Sequence, residues 1–137
     1  MTYASSTSVP VDRTRSEIEK TLTRFGATKF ASGWDQLGAT IAFEAKGRYV
    51  RFILPLPVEI KGAGKRRDQI VRARWRALLL CIKAKLEACE SGISNFESEF
   101  LAHVILPTGE TVGEHLAPRL ADAYSTGKMP PLLGSGS

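Results

Sequence analysis

Residues that carry chemistry are scarce in this chain. Only two of its 137 residues are cysteine and two are histidine. Cys81, Cys89, His103 and His115 fall in none of the paired C-x-x-C or H-x-x-x-H spacings from which zinc sites are built. Cys81 and Cys89 lie on one helical stretch, where eight residues of rise separate their Cα atoms by about 12 Å, too far for a disulfide. Free thiols point to a reducing cytoplasm. No apolar run approaches the roughly 18 residues of a membrane span. The start, MTYASSTSVP, has no basic segment followed by an apolar one, so no secretory signal is expected. No G-x-S-x-G elbow is present, and Gly62-Ala-Gly64-Lys65-Arg66 has neither the spacing nor the Ser/Thr of a Walker A loop. His103, flanked by apolar strand residues, reads as a core-edge histidine and His115, beside Glu114, as a solvated one. The pairs Glu87/Glu90 and Glu97/Glu99 lack the aspartate-rich context of a magnesium site. The expectation is a protein that is not an enzyme and needs no cofactor or metal.

What is abundant is positive charge, and it is concentrated. Between Lys65 and Lys85, eight cations (Lys65, Arg66, Arg67, Arg72, Arg74, Arg76, Lys83, Lys85) face one acid, Asp68. That local +7 exceeds the chain's net +5, so everything else together is slightly acidic. Residues 1–85 hold 17 basic and 7 acidic side chains, and residues 86–137 hold 2 and 7. Acidic C-terminal elements can screen the basic run, or the two signs can serve two surfaces. A cationic surface on one rigid element suits a polyanionic partner. Hydrophobic content of 43% and charged content of 24% are those of a globular domain with one core.

The organisation expected from periodicity is α+β. A flexible tail spans 1–11, a single domain 12–133, and a Gly/Ser tail of linker composition 134–137. A helix from about Asp12 to Phe25 places Ile18, Leu22 and Phe25 on one face, with Asp12 or Ser16 as its cap and Gly26 as its stop. Strands follow at Thr28–Ser32, Ala39–Ala45 and Arg48–Leu54, with Gly33–Gly38 as a loop and Lys46-Gly47 as a tight hairpin turn. In the third strand Val50, Phe52 and Leu54 point inward and Tyr49, Arg51 and Ile53 outward. Lys61–Gly64 is a flexible connector. In the long helix from Lys65 to Gly92, Val71, Trp75, Leu78, Leu79, Ile82, Leu86 and Cys89 form one core stripe about 100° wide. Lys65, Arg72, Arg76 and Lys83 gather on one flank, and Arg67, Arg74 and Lys85 on the other. The alanines on the back permit another helix to approach, from the C-terminal segment or from a second subunit of a homo-oligomer. Ser94 and Glu97 have capping-box spacing for a short helix to about Leu101, and His103–Leu106 reads as a fourth strand. Thr111 and Glu114 open a last helix with Leu116, Leu120 and Tyr124 at i, i+4 and i+8, in which Pro118 starts or kinks the helix. Those apolar positions are expected to pack on the rest.

Arginine in the basic run suits bidentate phosphate recognition. The candidate nucleic-acid-binding residues are Arg66, Arg67, Arg72, Arg74 and Arg76, with Lys46, Arg48 and Arg51 on the hairpin. Tyr49 and Arg51 can form a stacking platform for unpaired bases on the outer sheet face. Trp34 either stacks on a base or closes the end of the core, and Trp75 is structural.

The order helix, three strands, basic helix resembles the double-stranded RNA-binding domain. There a glycine-rich loop and basic helix start meet phosphates, and Gly62-Ala-Gly64-Lys65-Arg66-Arg67 is loosely similar to that segment. The rest of that pattern is absent. A resemblance over nearly the whole chain runs through Arg74-Trp-Arg-Ala-Leu-Leu-Leu80, Ile82-Lys-Ala-Lys-Leu-Glu87, Glu90-Ser-Gly-Ile93, Phe96-Glu97, Glu99-Phe-Leu-Ala102, Leu106-Pro-Thr-Gly109 and Tyr124-Ser-Thr-Gly-Lys-Met-Pro130. These are similar to an uncharacterised family of small bacteriophage and prophage proteins. The resemblance implies a phage setting in a host cytoplasm and supplies no functional residues. The expected function is non-catalytic binding of DNA or RNA through phosphates, with single-stranded DNA in view. The alternative is a module that binds or inhibits a host protein. No membrane partner is expected.

Overall fold

The computed structural model describes residues 9–36, 38–57 and 64–132. Residues 1–8 of the expected tail 1–11, the tail at 134–137 and the connector residues 61–63 lie outside them, and Val11, placed in the tail, begins the first helix. The elements are α1 (Val11–Phe25), β1 (Lys29–Asp35), β2 (Gly38–Ala45), β3 (Arg48–Pro55), α2 (Gly64–Glu90), α3 (Phe96–Phe100), a 3₁₀ turn (Leu101–His103) and α4 (Val112–Thr126). The class is α+β, with one antiparallel sheet in the order β1-β2-β3.

The central strand shows why the sheet forms. β2 buries Ala39, Ile41, Phe43 and Ala45 on one face, and β3 buries Val50 and Phe52 opposite them. Burial at every second residue pins the register, because a one-residue slip would turn the whole apolar set to solvent. Two left-handed residues, Lys46 (φ 52) and Gly47 (φ 76), make the two-residue turn between these strands, the backbone that matches strand twist. Gly38, at φ 151, is required by crowding: a Cβ there would strike the Leu54 carbonyl on the neighbouring strand.

α1 and α2 lie side by side on the buried face and run the same way. Val11 and Val71 line one groove, Glu17 reaches Arg76 and Lys83, and Phe25 stacks 5.8 Å from Phe96 just beyond the end of α2. α2 buries Trp75, Leu78, Leu79, Ile82 and Leu86, with Val71 and Cys89 packed at the margin, which is the expected stripe. Phe100 closes the core, edge-on to Phe43 at 5.8 Å and to Phe52 at 6.1 Å.

Local chemistry departs from expectation in several places. α1 begins after Pro10 with no side-chain cap; Asp12 and Ser16 do not cap it, and Asp12 instead pairs with Arg15 at 2.8 Å inside the first turn. β1 runs to Asp35, so Trp34 sits on a strand and not in a loop. α3 is capped by Asn95, which accepts from the Ser98 N–H at 2.9 Å, and not by Ser94. The fourth strand reduces to single bridges, Val50 with Val104 and Ile105 with Thr111. The back of α2 is open, with Ala77, Cys81 and Ala84 exposed.

The largest departure is α4. Its capping box forms as expected, with Thr111 and Glu114 exchanging both hydrogen bonds, and Pro118 lies inside the helix. Yet α4 buries no residue, and Leu120 and Tyr124 are 56% and 86% exposed. Periodicity marked an apolar stripe, but among the described residues nothing covers its far end.

Candidate nucleic-acid interface

The candidate binding residues fall into three places. The first is the start of α2. Lys65 and Arg66 are exposed there and have no charged partner among the described residues. Arg67 donates to the Pro57 carbonyl at 3.2 Å and Arg74 to the Pro55 carbonyl at 2.6 Å, both on the flank that faces the end of β3. Arg72 donates to Gln69 Oε1 at 3.0 Å, and its buried Nε has no partner among the described residues. All three bonds go to neutral oxygens, so they orient guanidinium groups without cancelling their charge. No acid lies in the first turn of α2, where a helix favours anions and disfavours cations.

Further along α2 two of the three cations meet an acid inside the fold. Arg76 and Lys83 share Glu17 at 3.1 and 2.7 Å. The Lys83 hydrogen bond, more than that from Arg76, holds the Glu17 carboxyl below its usual range. Lys85 donates to the Glu99 carbonyl at 2.8 Å. Arg76 therefore ties α2 to α1.

The second place is the outer face of the sheet, on the side away from α2. Tyr49 is 49% exposed and receives a hydrogen bond from Lys29 Nζ at 3.1 Å, which pushes the lysine pKa up. Arg51 does not join it as a free cation: it is bound to Glu114 of α4 at 2.7 Å. The Thr111 backbone N–H, then its hydroxyl, then Arg51 hold the Glu114 carboxyl low. At the hairpin end Arg48 pairs with Glu97 at 3.0 Å, and Lys46 lies 5.2 Å from the Phe25 ring centre.

The third place is a groove of about 880 Å³ where the start of α1, β1 and the start of α2 meet. Trp34 stands on its rim, 83% exposed, which rules out the reading in which it closes the core. Trp75 and Val71 form the apolar floor, and Arg67 brings the first place into contact with the third. Arg15 also lines the groove, and sequence reasoning missed it. Its signal was present as the Asp12–Arg15 spacing, but only the parallel run of the two helices brings it beside Arg67. Asp12 and Asp35 line the same groove, so its walls carry both signs.

His103 stacks on Phe52 with ring centres 4.1 Å apart, and burial keeps its pKa below 6.5. His115 Nδ1 lies 3.1 Å from Glu110. Among the described residues no cluster of three His, Cys, Asp or Glu side chains is placed to hold a metal, and no helix is long and apolar enough to cross a membrane. No protein-family model matches the chain, and no curated protein or solved structure is detectably similar to it.

Proposed function

We propose that this is a non-catalytic nucleic-acid-binding protein that holds phosphates on the first turns of α2. One observation carries the reading: among the described residues Lys65, Arg66, Arg67, Arg72 and Arg74 pair with no carboxylate, and they occupy the first three turns of α2 with only Asp68 among them. The macrodipole disfavours a cation in the first turn, here Lys65, Arg66 and Arg67, by about 0.3–1 kcal/mol each, and a phosphate reverses that sign. Arg66, Arg67, Arg72 and Arg74 are the phosphate contacts. Arg76, Arg48 and Arg51 serve the fold first, because acids already hold them. Trp34, exposed beside Arg67, supplies a stacking surface for an unpaired base, which favours single-stranded DNA or RNA. Tyr49 lies on the opposite side of the sheet and is a separate, weaker stacking site. The setting is DNA replication or recombination of a bacteriophage, in the host cytoplasm.

The test is a titration of the full chain with single- and double-stranded DNA and RNA at two salt concentrations. Binding that weakens steeply with salt is expected, tighter for single strands. No affinity for any nucleic acid at low salt overturns the reading.

A specific observation favours a second reading, a protein-interaction module aimed at a host protein. Leu120, Tyr124 and Met129 stand exposed along α4 and beyond it, on the acidic half of the chain. Salt-insensitive binding of a protein, lost in Leu120→Ser/Tyr124→Ser, would support it over the first.

A further inference from the structure

Among the described residues the outer edge of β1 is open. β1 pairs with β2 along its whole length, from Lys29 opposite Glu44 to Asp35 opposite Gly38, without a bulge. Among the described residues nothing pairs with its other edge. Proteins guard such edges with proline, bulges, inward-pointing charges or edge lysines, and of these β1 has only Lys29, at its very start. Its side chains on the core side are Phe30, Ser32 and Trp34, and its two charges, Lys29 and Asp35, lie at the ends of the outer side.

The backbone groups that this edge offers follow from the ladder. Across the Val50–Val104 bridge the Ile105 N–H donates to the Tyr49 carbonyl, so the Tyr49 backbone faces away from β2. Antiparallel strands alternate, so the groups of Val50 face β2 and pair with Phe43. Carried through both registers, the alternation turns Lys29, Ala31, Gly33 and Asp35 toward β2. Phe30, Ser32 and Trp34 present their N–H and C=O outward.

We infer that two copies of this chain pair through β1, antiparallel and centred on Ser32, to form one continuous sheet. That register makes hydrogen-bonded pairs of all the outward residues: Ser32 with the second copy's Ser32, and Phe30 with the second copy's Trp34. It also sets Lys29 against Asp35, opposite charges, and Ala31 against Gly33, the two smallest side chains of the strand. Aromatic and opposite-charge pairs across strands are stabilising. Shifting the centre to Phe30 or Trp34 loses these matches and leaves outward groups unpaired. The strand is thus complementary to itself, which is what a two-fold interface requires. Space exists as well. Ser32 and Trp34 lie on the helix-bearing side of the sheet yet are exposed, because a groove separates α1 from this end of β1. Pairing covers Trp34 with the second copy's Phe30, so the dimer and base stacking at Trp34 exclude one another, while the dimer does not depend on the phosphate contacts of α2.

The experiment uses the full chain. Light scattering during gel filtration should give twice the single-chain mass at high micromolar concentration. Ser32→Pro removes an N–H that faces outward, a position where an edge strand tolerates proline, and should return the single-chain mass. Trp34→Glu, at an exposed site, should do the same, with thermal unfolding equal to that of the unaltered chain at dilution, where both are single chains. In a Cys81→Ser/Cys89→Ala background, Ser32→Cys should cross-link under mild oxidation, since opposed hydrogen-bonded residues sit about 5.5 Å apart at Cα, within disulfide reach. Ala31→Cys, opposite Gly33, should cross-link far less. A single-chain mass at every concentration, or equal cross-linking of the two cysteine variants, overturns the proposal. A dimer that survives both Ser32→Pro and Trp34→Glu does so too, and moves attention to the open alanine face of α2.

Discussion

α2 and α4 look alike in sequence and behave differently in the fold. Both carry apolar residues at helical spacing, and α4 has the better start, with a complete capping box where α2 has three cations. Yet α2 buries five side chains against α1 and the sheet, and α4 buries none. A cap and an ion pair, here Thr111 with Glu114 and Glu114 with Arg51, decide where a helix begins and how it is aimed. They do not decide whether anything covers it. Stability comes from coverage, and coverage depends on what the topology brings to that face.

The sharpest way to break this contrast is truncation. A chain ending at Ser94 loses Phe96, Phe100 and Val104 from the core and should aggregate, whereas one ending at Thr111 should still unfold cooperatively in denaturant. If both fragments aggregate, α4 contributes more than its exposure implies. Next in size are the buried truncations. Leu79→Ala or Ile82→Ala, both at 0% exposure, should lower stability by about 2–5 kcal/mol. Glu114→Ala, which removes the box and the partner of Arg51, should lower it by about 1 kcal/mol in the same denaturant series. Leu120→Ala should change it by less than about 0.5 kcal/mol. Equal losses at Leu79 and Leu120 would erase the distinction between the helices.

Stability should also fall on acidification. His103 is held neutral by burial, so its folded pKa lies below 6.5 while the unfolded chain titrates at its ordinary value. Unfolded chains then bind more protons in that window, and stability present above pH 6.5 is lost as pH falls through the folded pKa. Glu17 and Glu114, both lowered from 4.5, add a second loss below that value. Thermal unfolding of His103→Phe, which keeps a ring on Phe52, should lack the first step and keep the second.

The α2 stripe was legible because burial on one face of a long helix leaves a periodic trace, as it did for Val50 and Phe52 in β3. The extent of β1 was not, because an edge strand with little covered on either face has no alternation to read; Gly33, Trp34 and Asp35 look like a loop for that reason. Caps misled at Asp12, Ser16 and Ser94 because the same side chains serve as caps, first-turn acids or solvated residues. The charges were counted correctly but not their use. The partners Arg51–Glu114 and Arg76–Glu17 lie 63 and 59 residues apart, and no local pattern encodes such pairs. That is why a run of +7 divides into cations that hold the fold and cations that remain available.

The division itself can be measured by comparing two double variants in one experiment. The slope of log affinity for single-stranded DNA against log salt should be recorded for Lys65→Gln/Arg66→Gln and for Arg48→Gln/Arg51→Gln, alongside their thermal unfolding. The first pair should flatten the slope by roughly 0.7 for each phosphate contact removed and leave unfolding unchanged. The second should lower the unfolding temperature and leave the slope intact. An unchanged slope in the first pair, with a flattened slope in the second, would contradict the account.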